Sequence, residues 1–145
     1  MQSFPSDALE LIMAHHTLAI ATYSDERLHP QIASIYYVFV DNEIYIVARP
    51  TTSKIKNIIS NGKFAVVITD ESSSKTLQIE GMAEIIVDRE RMDKVVTEYI
   101  RLTDVLSQIY PSVIETPGDK LIVIHLTPTW FQFTNYAEKI VEEKL

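Results

Sequence analysis

The chain has 145 residues, 46% of them apolar and 23% charged, with a formal net charge of −7 and no cysteine. That size and balance fit one globular domain, residues 1–145, able to bury a core without covalent staples. The missing thiols exclude disulfides, thiolate metal sites and a cysteine nucleophile, and the negative charge argues against nucleic acid or an anionic membrane as partner.

The N-terminal run MQSFPSDALELIMAHHT has no basic n-region, and Glu10 and two histidines interrupt its apolar stretch. It does not read as a signal peptide, and no apolar run approaches a membrane span, so a cytoplasmic location is the default expectation. A short helix is expected first, with Pro5 in its first turn, Ser6 as cap, and Leu9, Ile12 and Met13 on one face. Strands follow. Thr17 to Tyr23 ends at the turn Ser24-Asp25-Glu26-Arg27; His29 to Val40 is long and rich in Ile, Val, Tyr and Phe; Asp41-Asn42 turns it into Glu43 to Arg49.

From Thr51 to Asn61 the apolar period changes, with Ile55, Ile58 and Ile59 at helical spacing, Thr52 or Ser53 placed to cap and Gly62 placed to stop. Lys63 to Thr69 and Lys75 to Val87 read as strands, and Gly81 inside the second marks a bulge or sharp bend. Asp88 is expected to cap a helix carrying Met92, Val95, Val96 and Tyr99 on one face. An irregular connection through Pro111, Pro117 and Gly118 leads to a strand Leu121 to Leu126. Pro128 should break that strand before Trp130 to Thr134 continues, and Asn135 with Glu138 has the capping-box spacing for a last helix to Leu145. This order of elements predicts a mostly β protein, an antiparallel barrel or strongly curled sheet with flanking helices.

Charge is unevenly spread. No Asp or Glu occurs between Ile44 and Thr69, where even spacing of the 20 acidic residues would put about three or four, while Arg49, Lys54, Lys56 and Lys63 all fall there. The junction Val47-Ala48-Arg49-Pro50-Thr51-Thr52-Ser53-Lys54 joins a strand to a helix start, so backbone N–H groups, two hydroxyls and two cations converge as a phosphate requires. The plainer alternative is a capped surface helix with solvated lysines. No Walker loop or GxGxxG is present, and three glycines in all could scarcely build one.

The segment HPQIASIYYVFVDNEIYIVARPTTSKIKNIISNGKFAVVIT followed by TLQIEGMAEII resembles the pyridoxamine 5′-phosphate oxidase-like FMN-binding split barrels. The resemblance spans roughly residues 10 to 90 and rests on the order and spacing of Thr52-Ser53-Lys54, Asn61-Gly62 and Gly81-Met82-Ala83-Glu84. It implies a Greek-key-like split barrel in which Thr52, Ser53 and Lys54 hold the FMN phosphate. Val47 and Ala48 would line the ribityl chain, and Gln31, Ile32, Ala33 and Ser34 would face the isoalloxazine. Thr76 would stand where the oxidases carry a flavin-contacting glutamine. It also implies a homodimer with flavin sites at its interface.

The chain departs from the oxidases at two places. Ser53-Lys54 replaces their phosphate-binding Arg-Lys, leaving Arg49 as a substitute charge, and TNYAEKIVEEKL has no counterpart to their substrate-holding Arg and His. The expectation is an FMN-dependent oxidoreductase of another substrate, not a true pyridoxamine phosphate oxidase. The alternatives are a non-catalytic flavin- or haem-binding storage or sensor protein, or a deazaflavin F420-dependent reductase. No catalytic acid or base stands out.

Other polar groups carry less. His15 and His16 read as satisfying local backbone groups, with metal or haem ligation as the alternative, and His125 reads as a hydrogen-bonded core or interface residue. The four histidines have no metal-ligand spacing, so no metal is expected. Trp130, Phe131 and Phe133 read as core and dimer contacts, with stacking of Trp130 near the flavin ring as the alternative.

Overall fold

The structure, a computed structural model, describes residues 4–106 and 121–144. The irregular connection expected through Pro111, Pro117 and Gly118 lies outside them. In chain order the described residues form α1 (Ser6–Ala14), β1 (Thr17–Ser24), β2 (His29–Tyr36), β3 (Val38–Val40), β4 (Glu43–Ala48) and α2 (Ser53–Asn61). Then come β5 (Lys63–Asp70), β6 (Lys75–Ile85), α3 (Arg89–Leu106), β7 (Ile122–Asn135) and β8 (Ile140–Lys144).

The eight strands join one antiparallel sheet in the order β2-β1-β5-β6-β7-β4-β3, with β8 on the remaining length of β7. β2 and β3 end that path at opposite edges, yet only Tyr37 separates them in sequence. The sheet must therefore curl until its edges approach, and the extended run expected over His29 to Val40 crosses the split between them. The result is the mostly β, curled antiparallel half-barrel with flanking helices that the sequence predicts.

Alternation along the strands puts Leu18, Ile20, Phe64, Val66, Ile68, Leu77, Ile79, Phe131 and Phe133 inside, buried with Phe4, Ala8, Leu11 and Ile12 from the α1 end. A second cluster packs α3, through Val95, Tyr99 and Leu102, on Tyr45, Val47 and Val123 of the sheet.

β2 is an edge strand with a defined polarity. The Tyr37 N–H donates to the His16 carbonyl at 3.0 Å. Alternation then turns the backbone groups of Gln31, Ala33 and Ile35 toward β1, and those of Pro30, Ile32, Ser34 and Tyr36 toward the free edge. Pro30 thus falls where no ladder N–H is needed.

Four local expectations are corrected. Pro5 itself is the N-cap of α1 and Ser6 its first residue, and the buried face is Ala8, Leu11 and Ile12, with Met13 exposed. On α2, Asn57 is buried and Ile59 points to solvent, although Gly62 does end the helix in a left-handed conformation at φ 71°. Pro128 does not break its strand. It pairs with Gly81 where the β6–β7 register shifts, so Thr129 is taken up in a bulge and the missing proline N–H costs no regular ladder bond.

The expected C-terminal helix is instead the hairpin strand β8. Asn135 Oδ1 does accept from the Glu138 N–H, at 3.1 Å, but it closes a turn rather than starting a helix. The open edge of β7 then captures the chain, and pairing overrides the local helical pattern.

Candidate functional site

Two cavities open along the free edge of β2, where it faces the end of β4 and the start of α2. The larger, about 470 Å³, lies between Thr17, Ser34, Ile35 and Tyr36 on one side and Val47, Ala48, Arg49, Thr52, Lys54 and Tyr99 on the other. The smaller, about 250 Å³, is lined by Ile20, Thr22, Gln31, Ile32, Ala33, Ser53 and Lys54. Lys54 lines both, and a third cavity of about 240 Å³, which carries Asp25 and Glu26, shares Gln31 and Ser53 with the smaller. Among the described residues no carboxylate lines either of the first two cavities.

The cleft is built by the junction between β4 and α2. The Thr52 N–H and hydroxyl both donate to the Arg49 carbonyl, at 3.3 and 3.0 Å, closing a turn with Pro50 at its second position. Thr52 therefore occupies the N-cap position of α2 without capping it, and the helix starts with no side-chain cap and no acid in its first turn. Its first-turn N–H groups remain as donors at the positive end of the helix dipole. Lys54 is half-buried, and burial lowers its ammonium from the usual lysine range. Such a cation gains from an anion arriving beside it.

Of the residues singled out in the sequence, Ser34, Val47, Ala48, Arg49, Thr52 and Lys54 line the larger cavity, and Gln31, Ile32, Ala33, Ser53 and Lys54 line the smaller. Thr76 and Trp130 line neither. They lie on the outer face of the sheet, Thr76 opposite Thr134 and Trp130 opposite Glu80, and the Trp130 indole donates to Glu143 at 3.2 Å.

Tyr36 and Tyr99 are wall residues that sequence reasoning missed, because both read as structural aromatics. Burial raises the Tyr99 phenol above the usual tyrosine range. Asn57 was missed too, though a polar residue at an inward helical position was the available signal. Its buried amide donates to Thr22 Oγ1 and Gln31 Oε1, each at 2.9 Å.

The histidines stand apart from the cleft. His125 is buried, 2.7 Å from Glu43, 3.5 Å from Glu84 and stacked on Tyr45, whose hydroxyl accepts from Arg91 at 2.8 Å. His15 lies 3.5 Å from Asp70. Among the described residues no cluster of three or more His, Asp or Glu is placed to hold a metal, and no helix is long and apolar enough to cross a membrane.

A curled antiparallel half-barrel whose edge strand β2 faces the β4–α2 junction across cavities lined by Lys54 defines a split barrel. The chain belongs to the pyridoxamine 5′-phosphate oxidase family, whose sequence model matches residues 4–135. No curated protein matches it.

Solved structures share its fold. A NimC/NimA family protein from Clostridium acetobutylicum superposes with a TM-score of 0.69 at 18% identity, over 94% of this chain and 88% of that one. An FAD-binding protein from Mesorhizobium loti gives 0.69 at 14% identity, over 91% and 95%. A heme binding protein from Mycobacterium smegmatis gives 0.72 at 13%, over 99% of this chain but 59% of that longer one.

Proposed function

We propose that this chain binds FMN in the cleft along β2 and serves as a flavin-dependent oxidoreductase. The observation that carries the reading is Lys54 lining both cavities, neither of which has a carboxylate among its described lining residues, beside an uncapped helix start. The donor set fits a phosphorylated flavin. Ser53, Lys54 and the first-turn N–H groups suit a phosphate, which only accepts hydrogen bonds. The larger cavity falls within the roughly 300–1,000 Å³ typical of small-molecule sites and has the apolar and aromatic walls a ring system needs.

The ring is therefore assigned to the larger cavity, with the free-edge backbone groups of Ser34 and Tyr36 along it, and the phosphate to the smaller. Gln31 stands at the phosphate end in this arrangement, whereas the family resemblance alone set it against the ring. Bound there, the flavin supplies hydride or electron transfer, while Ser34 and the backbone of β2 orient it and stabilise negative charge on the reduced ring.

Among the described residues no histidine lines either cavity, which favours flavin over haem. The C-terminal strand offers Glu142 and Glu143 where a second phosphorylated ligand would want arginine, so pyridoxamine 5′-phosphate is not the substrate of this reading.

The second part of the proposal is a homodimer. The outer face of the sheet carries half-buried Ala19, Ala21, Ala65 and Val67, bordered by exposed Ile32 on β2 and by exposed Gln78 and Glu80 on β6, with Trp130 one strand further on. Such a smooth apolar face suits a second copy. Thr76 and Trp130 lie on that same face, so the dimer would carry them toward the partner's flavin. The absorption spectrum of the purified protein, with mass spectrometry of the released cofactor, tests the assignment. Paired near-ultraviolet and blue bands with the FMN mass are expected, and a Soret band or the mass of F420 overturns it.

A further inference from the structure

We propose that Asn57 is a positioning residue for the phosphate end of the cleft and acts through Gln31; this rests on the FMN reading above. Asn57 is 6% exposed, on the face of α2 turned toward β1 and β2. Its amide nitrogen has two protons, and both are committed, one to Thr22 Oγ1 and one to Gln31 Oε1, each at 2.9 Å. The Gln31 oxygen is thereby held against α2. The part of Gln31 left free of that bond is its amino group, which only donates, and Gln31 lines the small cavity.

That orientation matters because a side-chain amide is otherwise ambivalent. Rotated by half a turn, Gln31 would aim a carbonyl oxygen at any anion beside Ser53 and Lys54, exchanging an attraction for a repulsion. Asn57 removes the choice. Asn57 is absent from the lining of both cleft cavities, and the adjoining cavity of about 240 Å³ that it does line, with Gln31, Ser53, Asp25 and Glu26, lies on the far side of Gln31 in this reading. Its contribution is selectivity for a phosphorylated over a non-phosphorylated flavin.

Flavin-free wild type, Gln31→Ala, Asn57→Ala and the double variant are titrated with FMN and with riboflavin, following flavin fluorescence. Each single substitution should weaken FMN about tenfold and riboflavin less than twofold, and the double variant should lose no more than Gln31→Ala alone. Equal weakening of both flavins by Asn57→Ala would mark a merely structural residue and overturn the proposal. So would additive losses in the double variant.

Should Asn57→Ala not fold, Gln31→Glu decides. A carboxylate at this position should lower the preference for FMN over riboflavin further than Gln31→Ala does, and an unchanged preference overturns the proposal. A wild type without any preference for FMN overturns the phosphate assignment itself, and this inference with it.

Discussion

Gly81 and Pro128 stand opposite each other across the β6–β7 ladder, at the one step where its register shifts. A Cβ on Gly81 would lie 1.9 Å from the Thr127 carbonyl oxygen, a backbone atom that cannot yield without opening the bulge. Gly81→Ala should therefore cost about 3 kcal/mol or more, lowering the melting temperature by roughly 10 °C. Thermal unfolding followed by circular dichroism measures it, and an unchanged midpoint would show that the bulge can relax.

Lys54 is the cation shared by both cavities. Lys54→Ala should weaken FMN about ten- to a hundredfold, as loss of a charge-assisted contact worth roughly 1.5–3 kcal/mol requires, and leave riboflavin nearly unchanged. Titration with the two flavins checks this. Equal effects on both would remove the phosphate from Lys54.

The same residue sets a pH dependence. Burial lowers the Lys54 ammonium, so in the free protein it loses its proton at lower pH than an ordinary lysine, while a bound phosphate favours the charged form. FMN affinity relative to riboflavin should hold level near neutrality and fall as pH rises through that lowered value. It should fall also below about pH 6, where the phosphate takes up a proton. Lys54→Arg, charged throughout, should move the alkaline fall to higher pH. An alkaline limb that stays in place would assign it to another group.

Ser34 sits on the exposed free edge of β2, in the wall of the larger cavity. Its hydroxyl or backbone N–H would stabilise charge on the reduced ring and so raise the reduction potential. Ser34→Ala should shift the potential modestly with little loss of FMN, and Lys54→Ala should do the reverse. Spectroelectrochemical titration compares them, and identical potentials for Ser34→Ala and wild type would remove Ser34 from the mechanism.

The outer sheet face predicts the oligomer. Light scattering of the flavin-loaded protein at micromolar concentration should give twice the chain mass. A charge on the apolar face beside Ala21, Ala65→Glu, should shift it to monomer. A monomeric wild type would leave that face without its proposed occupant.

Much of this molecule is decided by local chemistry that can be read along the chain. The strands follow from runs of β-branched and aromatic residues, Gly62 ends α2 because only glycine takes its left-handed conformation cheaply, and Asp88 caps α3 through the Arg91 N–H at 2.9 Å. The convergence of Arg49, Thr52, Ser53 and Lys54 is likewise local, since a strand end and a helix start adjacent in sequence are adjacent in space.

Tertiary structure decided the rest, wherever competition between distant segments sets the outcome. Asn135 and Glu138 are spaced for a helix, but the unpaired edge of β7 offered backbone hydrogen bonds that a short exposed helix could not match, and β8 formed instead. Pro128 stays in a strand because Gly81, 47 positions away in sequence, makes room for the bulge that absorbs it. Tyr99 and Asn57 join the site only because α3 and α2 pack against strands far away in sequence, and periodicity gives the buried face of a helix but not what that face will meet.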